Sequence, residues 1–194
     1  PMNTPLPSPT VALLGIGRMG LPMASRLCQA GLTVHAWNRN RSKAEPLAAL
    51  GATVHDQATD AVRQADIVIS MLENGPVVEQ VLFGLGTAQA MKPGTLVVDM
   101  ASIKPVEARD HAARLQALGL HHVDAPVSGG TVAAEAGTLA IMAGGEAADL
   151  ARALPVLQHL GSTVHVGPHG AGQLAKLANQ MIVGITIGAV SEAL

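Results

Sequence analysis

Residues 10–31 read "TVALLGIGRMGLPMASRLCQAG". A short apolar run, Val11 to Leu14, stops at Gly15. The pattern G-x-G-x-x-G follows over residues 15–20. Helical spacing then sets Met23, Leu27 and Ala30 on one side, with Gly31 as a stop. Strand, glycine loop and helix in that order is the context a dinucleotide fingerprint requires. Gly15 permits the tight turn, Gly17 lets the backbone approach a pyrophosphate, and Gly20 allows close helix–strand packing. The helix start then offers free N–H groups and a positive dipole end to phosphates. Gly15, Gly17, Arg18, Met19 and Gly20 are therefore the candidate cofactor contacts of this loop.

The rest of the chain repeats the theme. Strand-like runs occur at 32–37, 66–72, 94–102, 120–130, 138–145 and 162–167. Helical patterns separate several of them: 42–51, closed by Gly51; 60–65; 105–119, the clearest; and about 146–160. Such alternation predicts an α/β fold, a Rossmann-type doubly wound and mostly parallel sheet covered on both faces. Ligands of these sheets bind at the carboxyl ends of the strands. The strand pattern stops near Val166–Gly172, where one long helix begins. The expected division is a tail over residues 1–9, a dinucleotide-binding domain over 10–167, and an interdomain helix over 168–194.

The second strand ends in "AWNRNRSK". Enzymes that use NAD place Asp or Glu there to hold the ribose 2′-hydroxyl. This chain has Asn38, which removes the repulsion of a 2′-phosphate, and Arg39, whose guanidinium can bind one. NADP(H) is expected over NAD(H).

Composition narrows the function classes. The 194 residues are 48% hydrophobic and 13% charged, with net charge −2. No basic balance argues for nucleic acid. One Phe, one Trp and no Tyr leave no base-stacking platform and an aliphatic core. The lone Cys28 cannot form an internal disulfide and suits a reducing, cytoplasmic setting. The start "PMNTPLPSP" lacks the charge and apolar run of a signal peptide. The apolar window "MIVGITIGAV" is too short to cross a bilayer alone, so no membrane partner is expected.

Two further stretches carry chemistry. "DAPVSGG" (124–130) ends a strand and turns on Gly129 and Gly130; with Ser128 it can hold a small carboxylate, or it is an ordinary turn. In "GAGQLAKLANQ" (170–180), Lys176, Asn179 and Gln180 share one helix face. The lysine either snorkels to water or lines a cleft, where a partly desolvated ammonium serves as a general acid.

Together "GIGRMGLPMA", "DMASIKP", "DAPVSGG", "GTLAIMAGG" and "GAGQLAKLANQMIV" resemble the β-hydroxyacid dehydrogenase family. That family includes 3-hydroxyisobutyrate dehydrogenases and 2-hydroxy-3-oxopropionate reductases, and the likeness runs from about residue 10 to 194. The resemblance implies Lys176 as the catalytic lysine and Ser128, Gly129 and Gly130 as the carboxylate loop. Asn179 and Gln180 fall at the amide pair of the lysine helix, where many members have Asn in place of Gln180. Ser102 falls near the nicotinamide, and Met71 and Leu72 on a loop along the cofactor. It further implies an NAD(P)-dependent oxidoreductase for a small carboxylate substrate, with 2-hydroxy-3-oxopropionate ranked first. Family members continue into an all-helical domain that closes the cleft and makes a dimer interface, so a homo-oligomer is implied through a domain beyond Leu194. Imine reductases share the layout but usually lack the lysine. A non-catalytic dinucleotide-binding module is the remaining alternative.

Overall fold

The computed structural model describes residues 8–193; most of the expected tail and Leu194 lie outside the described residues. The chain runs β1 (Val11–Leu14), α1 (Gly20–Gln29), β2 (Val34–Trp37), β3 (Thr53–His55), α2 (Ala58–Val62) and β4 (Ile67–Ser70). It continues through α3 (Gly75–Glu79), α4 (Thr87–Ala90), β5 (Leu96–Asp99), α5 (Pro105–Ala117), β6 (His121–Asp124) and β7 (Val127–Ser128). Last come α6 (Gly130–Ala136), β8 (Leu139–Gly145), α7 (Ala147–Leu157), β9 (Gly161–Gly167) and α8 (Ala171–Ala193).

The strands form one sheet in the order β3-β2-β1-β4-β5-β6-β8-β7, with β9 paired to β8. Every pairing from β3 across to β6 is parallel, while β8 runs antiparallel to β6 and β7. The order reverses at β1, between β2 and β4, which opens a crevice at their carboxyl ends.

Alternation along β1 explains why both faces must be covered. Val11 and Leu13 point into one apolar layer with Met23 and Leu27 of α1 and Leu150 and Val156 of α7. Ala12 and Leu14 point into the other, with Val62 of α2, Val78 of α3 and Leu115 of α5. A strand buried on both faces reads as a continuous apolar run, as "VALL" does. Each fully buried Leu contributes about 1.5–3 kcal/mol, so Leu13 and Leu14 alone hold the crevice floor firmly.

Three local departures from the pattern have physical causes. Residues 42–51 form two 3₁₀ turns, Arg41–Lys43 and Glu45–Leu50, rather than an α-helix. Pro46 has no N–H to donate four residues back, while Gly51 ends the segment at φ +92° as expected. The run at 120–130 breaks at Pro126 into β6 and β7, and its glycine loop continues directly into α6. The edge strand β3 is three residues long and carries too little periodicity to read.

Helix α8 spans 23 residues, and its most apolar 18-residue window has a mean hydropathy of 1.3. By length and composition it is long and apolar enough to cross a membrane, although its central ten-residue run by itself is not. Its buried residues are Gly172 and Gln173; from Met181 onward every described side chain is exposed.

Candidate active site

The glycine loop closes tightly on the protein at two of its three glycines. Gly15 sits at φ +99°, and a Cβ there would meet the Met71 carbonyl and lie 2.9 Å from Leu72 Cδ2. A Cβ on Gly20 would overlap the Gly15 carbonyl. These two are demanded by the fold, and they bring Met71 and Leu72 against the loop. Gly17 differs: a Cβ there would have no protein atom within 4 Å. Its open side is a cradle that a side chain would fill. Helix α1 begins without a side-chain cap at Met19; the Leu21 N–H donates to the Gly17 carbonyl and Pro22 has none, so the Met19 and Gly20 N–H groups are the ones open to a ligand. Arg18 is exposed and Met19 half-buried beside them. The loop therefore fits a dinucleotide pyrophosphate.

At the end of β2, Asn38 braces this loop. Its Oδ1 accepts from the Ile16 N–H at 3.0 Å, and its Nδ2 donates to the Asn40 carbonyl at 2.9 Å. Arg41 is held away, donating to Glu45, Asp56 and the Val54 carbonyl. Arg39 is exposed and makes no hydrogen bond to another described residue. One guanidinium is thus left over at the edge where a ribose would lie.

The second half of the site gathers around the start of α8. Asp124, fully buried at the end of β6, accepts from the Gly170 N–H (2.8 Å) and the Gln173 N–H (3.1 Å). Burial pushes this carboxyl up, while those backbone donors pull it back. Gln173 reaches the loop after β5: Nε2 donates to the Ala101 carbonyl at 2.8 Å, and Oε1 accepts from the Ile103 N–H at 3.0 Å. Ser102 lies exposed between those two anchors. One turn on, Lys176 is half-buried, and desolvation lowers its ammonium below the ordinary value. Asn179 Nδ2 donates to Ser128 Oγ at 3.4 Å, joining the lysine helix to the second glycine loop. Gly129 and Gly130 take positive φ, 125° and 64°, and are exposed. Gln180 is exposed and bonds to none of these groups.

Beneath the site, Asp99 ends β5 directly across from Asp124 in register. Its Oδ1 accepts from Ser70 Oγ (2.8 Å) and the Ala101 N–H (3.1 Å), while Oδ2 is buried without a partner among the described residues. Burial pushes this carboxyl up to about 7. Asp124, Gln173 and Asp99 escape a reading of the sequence because a lone Asp ending an apolar strand is unremarkable there. The one available signal was Gln173 set between Gly172 and Lys176.

Elsewhere, Glu79, Asp110 and His111 lie close enough to share a cation. Arg114 already donates to both carboxylates and stacks over Phe83, so the two carboxylates are engaged in an ion-pair network. The groove of about 530 Å³ beside it shares no residue with the site above.

The class these features define is a dinucleotide-binding domain. Residues 10–167 match the family described as the NAD binding domain of 6-phosphogluconate dehydrogenase, and the chain belongs to it. The chain is 41% identical over 186 residues to the NAD-dependent L-serine dehydrogenase of Pseudomonas aeruginosa, covering 95% of this chain and 62% of that protein. It is 42% identical over 186 residues to the 2-hydroxy-3-oxopropionate reductase of Escherichia coli, covering 95% and 63%. Among solved structures, the 3-hydroxyisobutyrate dehydrogenase of Mycobacterium tuberculosis with L-serine superposes at a TM-score of 0.92. The two share 40% identity, over 96% of this chain and 64% of that one. The expected kinship with 3-hydroxyisobutyrate dehydrogenases and 2-hydroxy-3-oxopropionate reductases holds. The chain spans a little under two thirds of the length of these relatives.

Proposed function

We propose that this chain is the cofactor-binding part of an NADPH-dependent oxidoreductase that interconverts a short aldehyde acid and its hydroxy acid. The substrate ranked first is 2-hydroxy-3-oxopropionate, followed by 3-hydroxyisobutyrate. Residues 10–167 hold the cofactor, and residues 168–194 begin an interdomain helix. The observation that carries the reading is the Asn179–Ser128 contact, which ties the helix bearing half-buried Lys176 to the strand that leads into the second glycine loop.

When bound, the nicotinamide supplies the hydride that reaches the carbonyl carbon. Gly15, Gly17, Arg18, Met19 and Gly20 hold the phosphates, and Arg39 takes the 2′-phosphate. Met71, Leu72 and Ser102 border the rest of the cofactor, while Asn38 shapes the loop from behind. Ser128 Oγ and the backbone N–H groups of Gly129 and Gly130 hold the substrate carboxylate, with Asn179 and Gln180 beside it. Lys176 Nζ gives its proton to the carbonyl oxygen as negative charge develops there. Its lowered proton affinity suits that donation.

The exposed apolar side of α8, including Leu174, Met181, Ile182 and Ile185, is the join to a helical domain, and a homo-oligomer forms through that domain. The anchoring of its first turn by Asp124 and Gln173 supports an interdomain helix over a membrane span. A cytoplasmic setting agrees with the unpaired Cys28.

The test is Lys176→Ala in the intact enzyme, assayed with 2-hydroxy-3-oxopropionate and 3-hydroxyisobutyrate. Turnover should fall on the order of 10³-fold with NADPH affinity unchanged by fluorescence titration. Near-normal turnover overturns the role.

A further inference from the structure

A 23-residue helix carries the lysine, yet only Gly172 and Gln173 of that helix are buried. The buried anchoring of the Lys176 helix therefore lies at those two positions and in what meets them. Gly172 approaches the sheet so closely that a Cβ would overlap the Met142 carbonyl, which sets how near the helix lies. Closeness alone leaves the helix free to roll about its axis. Gln173 removes that freedom, because its buried side chain makes two short bonds to the loop after β5, to Ala101 and Ile103, 72 and 70 positions away in the chain, whereas Asn179 reaches Ser128 only across 3.4 Å. Its own N–H is tied to Asp124 at the same time. Lys176 follows three residues later and shares its side of the helix.

We propose that Gln173 is a positioning residue, fixing the roll and register of the Lys176 helix against the loop that carries Ser102. This rests on the reading of Lys176 as proton donor.

The chemistry explains the residue type. The loop presents one acceptor, the Ala101 carbonyl, and one donor, the Ile103 N–H, at a side chain that is 1% exposed. A side-chain amide supplies a donor and an acceptor without charge. A carboxylate would lose the donation and add charge next to Asp124; an apolar residue would leave two backbone groups unpaired. The same loop is held from below by Asp99 through the Ala101 N–H. Gln173 thus ties the lysine helix to a segment already fixed to the centre of the sheet.

The test compares Gln173→Met, which keeps the volume and loses both bonds, with the unchanged enzyme. Lysines are ¹³C-dimethylated and titrated by NMR; Lys43, Lys92 and Lys104 serve as internal references, and Lys176→Arg assigns the signal. The Lys176 titration should move up toward the ordinary lysine value while the reference lysines stay put. Turnover should drop about tenfold to a hundredfold at saturating NADPH, with the dissociation constant for NADPH within about twofold. If Gln173→Met does not fold, Gln173→Asn, which reaches only one loop partner, should give a smaller shift in the same direction. A folded variant whose Lys176 titration and turnover are unchanged overturns the proposal. So does a loss confined to melting temperature. If Lys176→Ala keeps its turnover, the proton-donor reading falls by itself, and the NMR titration still decides the placement by Gln173.

Discussion

Asn179 Nδ2 donates to Ser128 Oγ across 3.4 Å, a contact between residues 51 positions apart. It is longer than the usual N–H···O range of about 2.7–3.2 Å, as groups that tighten on a ligand are. Asn179→Ala should raise KM for the aldehyde acid about tenfold, the worth of one hydrogen bond to a charged ligand. NADPH affinity should stay the same. Steady-state kinetics beside a fluorescence titration make the comparison, and equal losses in both would count against a substrate role.

Gly17 and Gly20 should part company. Gly17→Ala meets no protein atom, so its melting temperature should hold while NADPH binding weakens at least tenfold, because the methyl group occupies the cradle. Gly20→Ala collides with the Gly15 carbonyl and should lose stability by about 1–3 kcal/mol from strain. Calorimetry and a binding titration on both variants separate the cases; unchanged NADPH affinity in Gly17→Ala would refute the cradle.

Arg39 is the guanidinium at the end of β2 that makes no hydrogen bond to another described residue, whereas Arg41 is bound to Glu45 and Asp56. Arg39→Ala should weaken NADPH about tenfold to a hundredfold and leave NADH almost untouched. Parallel losses for the two cofactors would remove the basis for preferring NADPH.

Two buried groups should give the stability curve opposing slopes. Asp99 is raised from 3.8 to about 7 by burial, so the fold binds the extra proton across that window and loses stability as pH rises through it. His122 is lowered from 6.5 to about 3, again by burial, so stability falls as pH drops through that window. Asp99→Asn should leave the acid-side loss alone, and its melting temperature should decline from about pH 6.5 downward. His122→Leu should show the reverse, declining as pH climbs toward 7. Melting curves of the two variants that run parallel across this range would contradict both assignments.

Much of the fold was legible where local pattern and tertiary role coincide. The run Val11–Leu14 is apolar because it is buried on both faces, and the same residues announce a central parallel strand. Met23 and Leu27 repeat at helical spacing because α1 has one face on the core. The pattern failed where structure is made by partners instead. β3 is a strand only because β2 lies beside it, and the turns at 41–50 follow from Pro46 and from Asn40 accepting the Ser42 N–H.

Among the site residues, the sequence by itself determined the glycine loop, the missing carboxylate at Asn38, and a polar face on an apolar helix. Each of these is a local fact of residue type and spacing. Tertiary structure alone decided which polar groups meet. It turned Asn38 inward to brace Ile16, set Asn179 against Ser128, and clamped α8 through Asp124 and Gln173. These pairings join residues 22 to 72 positions apart. Hydrogen bonds of that span are fixed by the packing of the sheet, which no local pattern encodes.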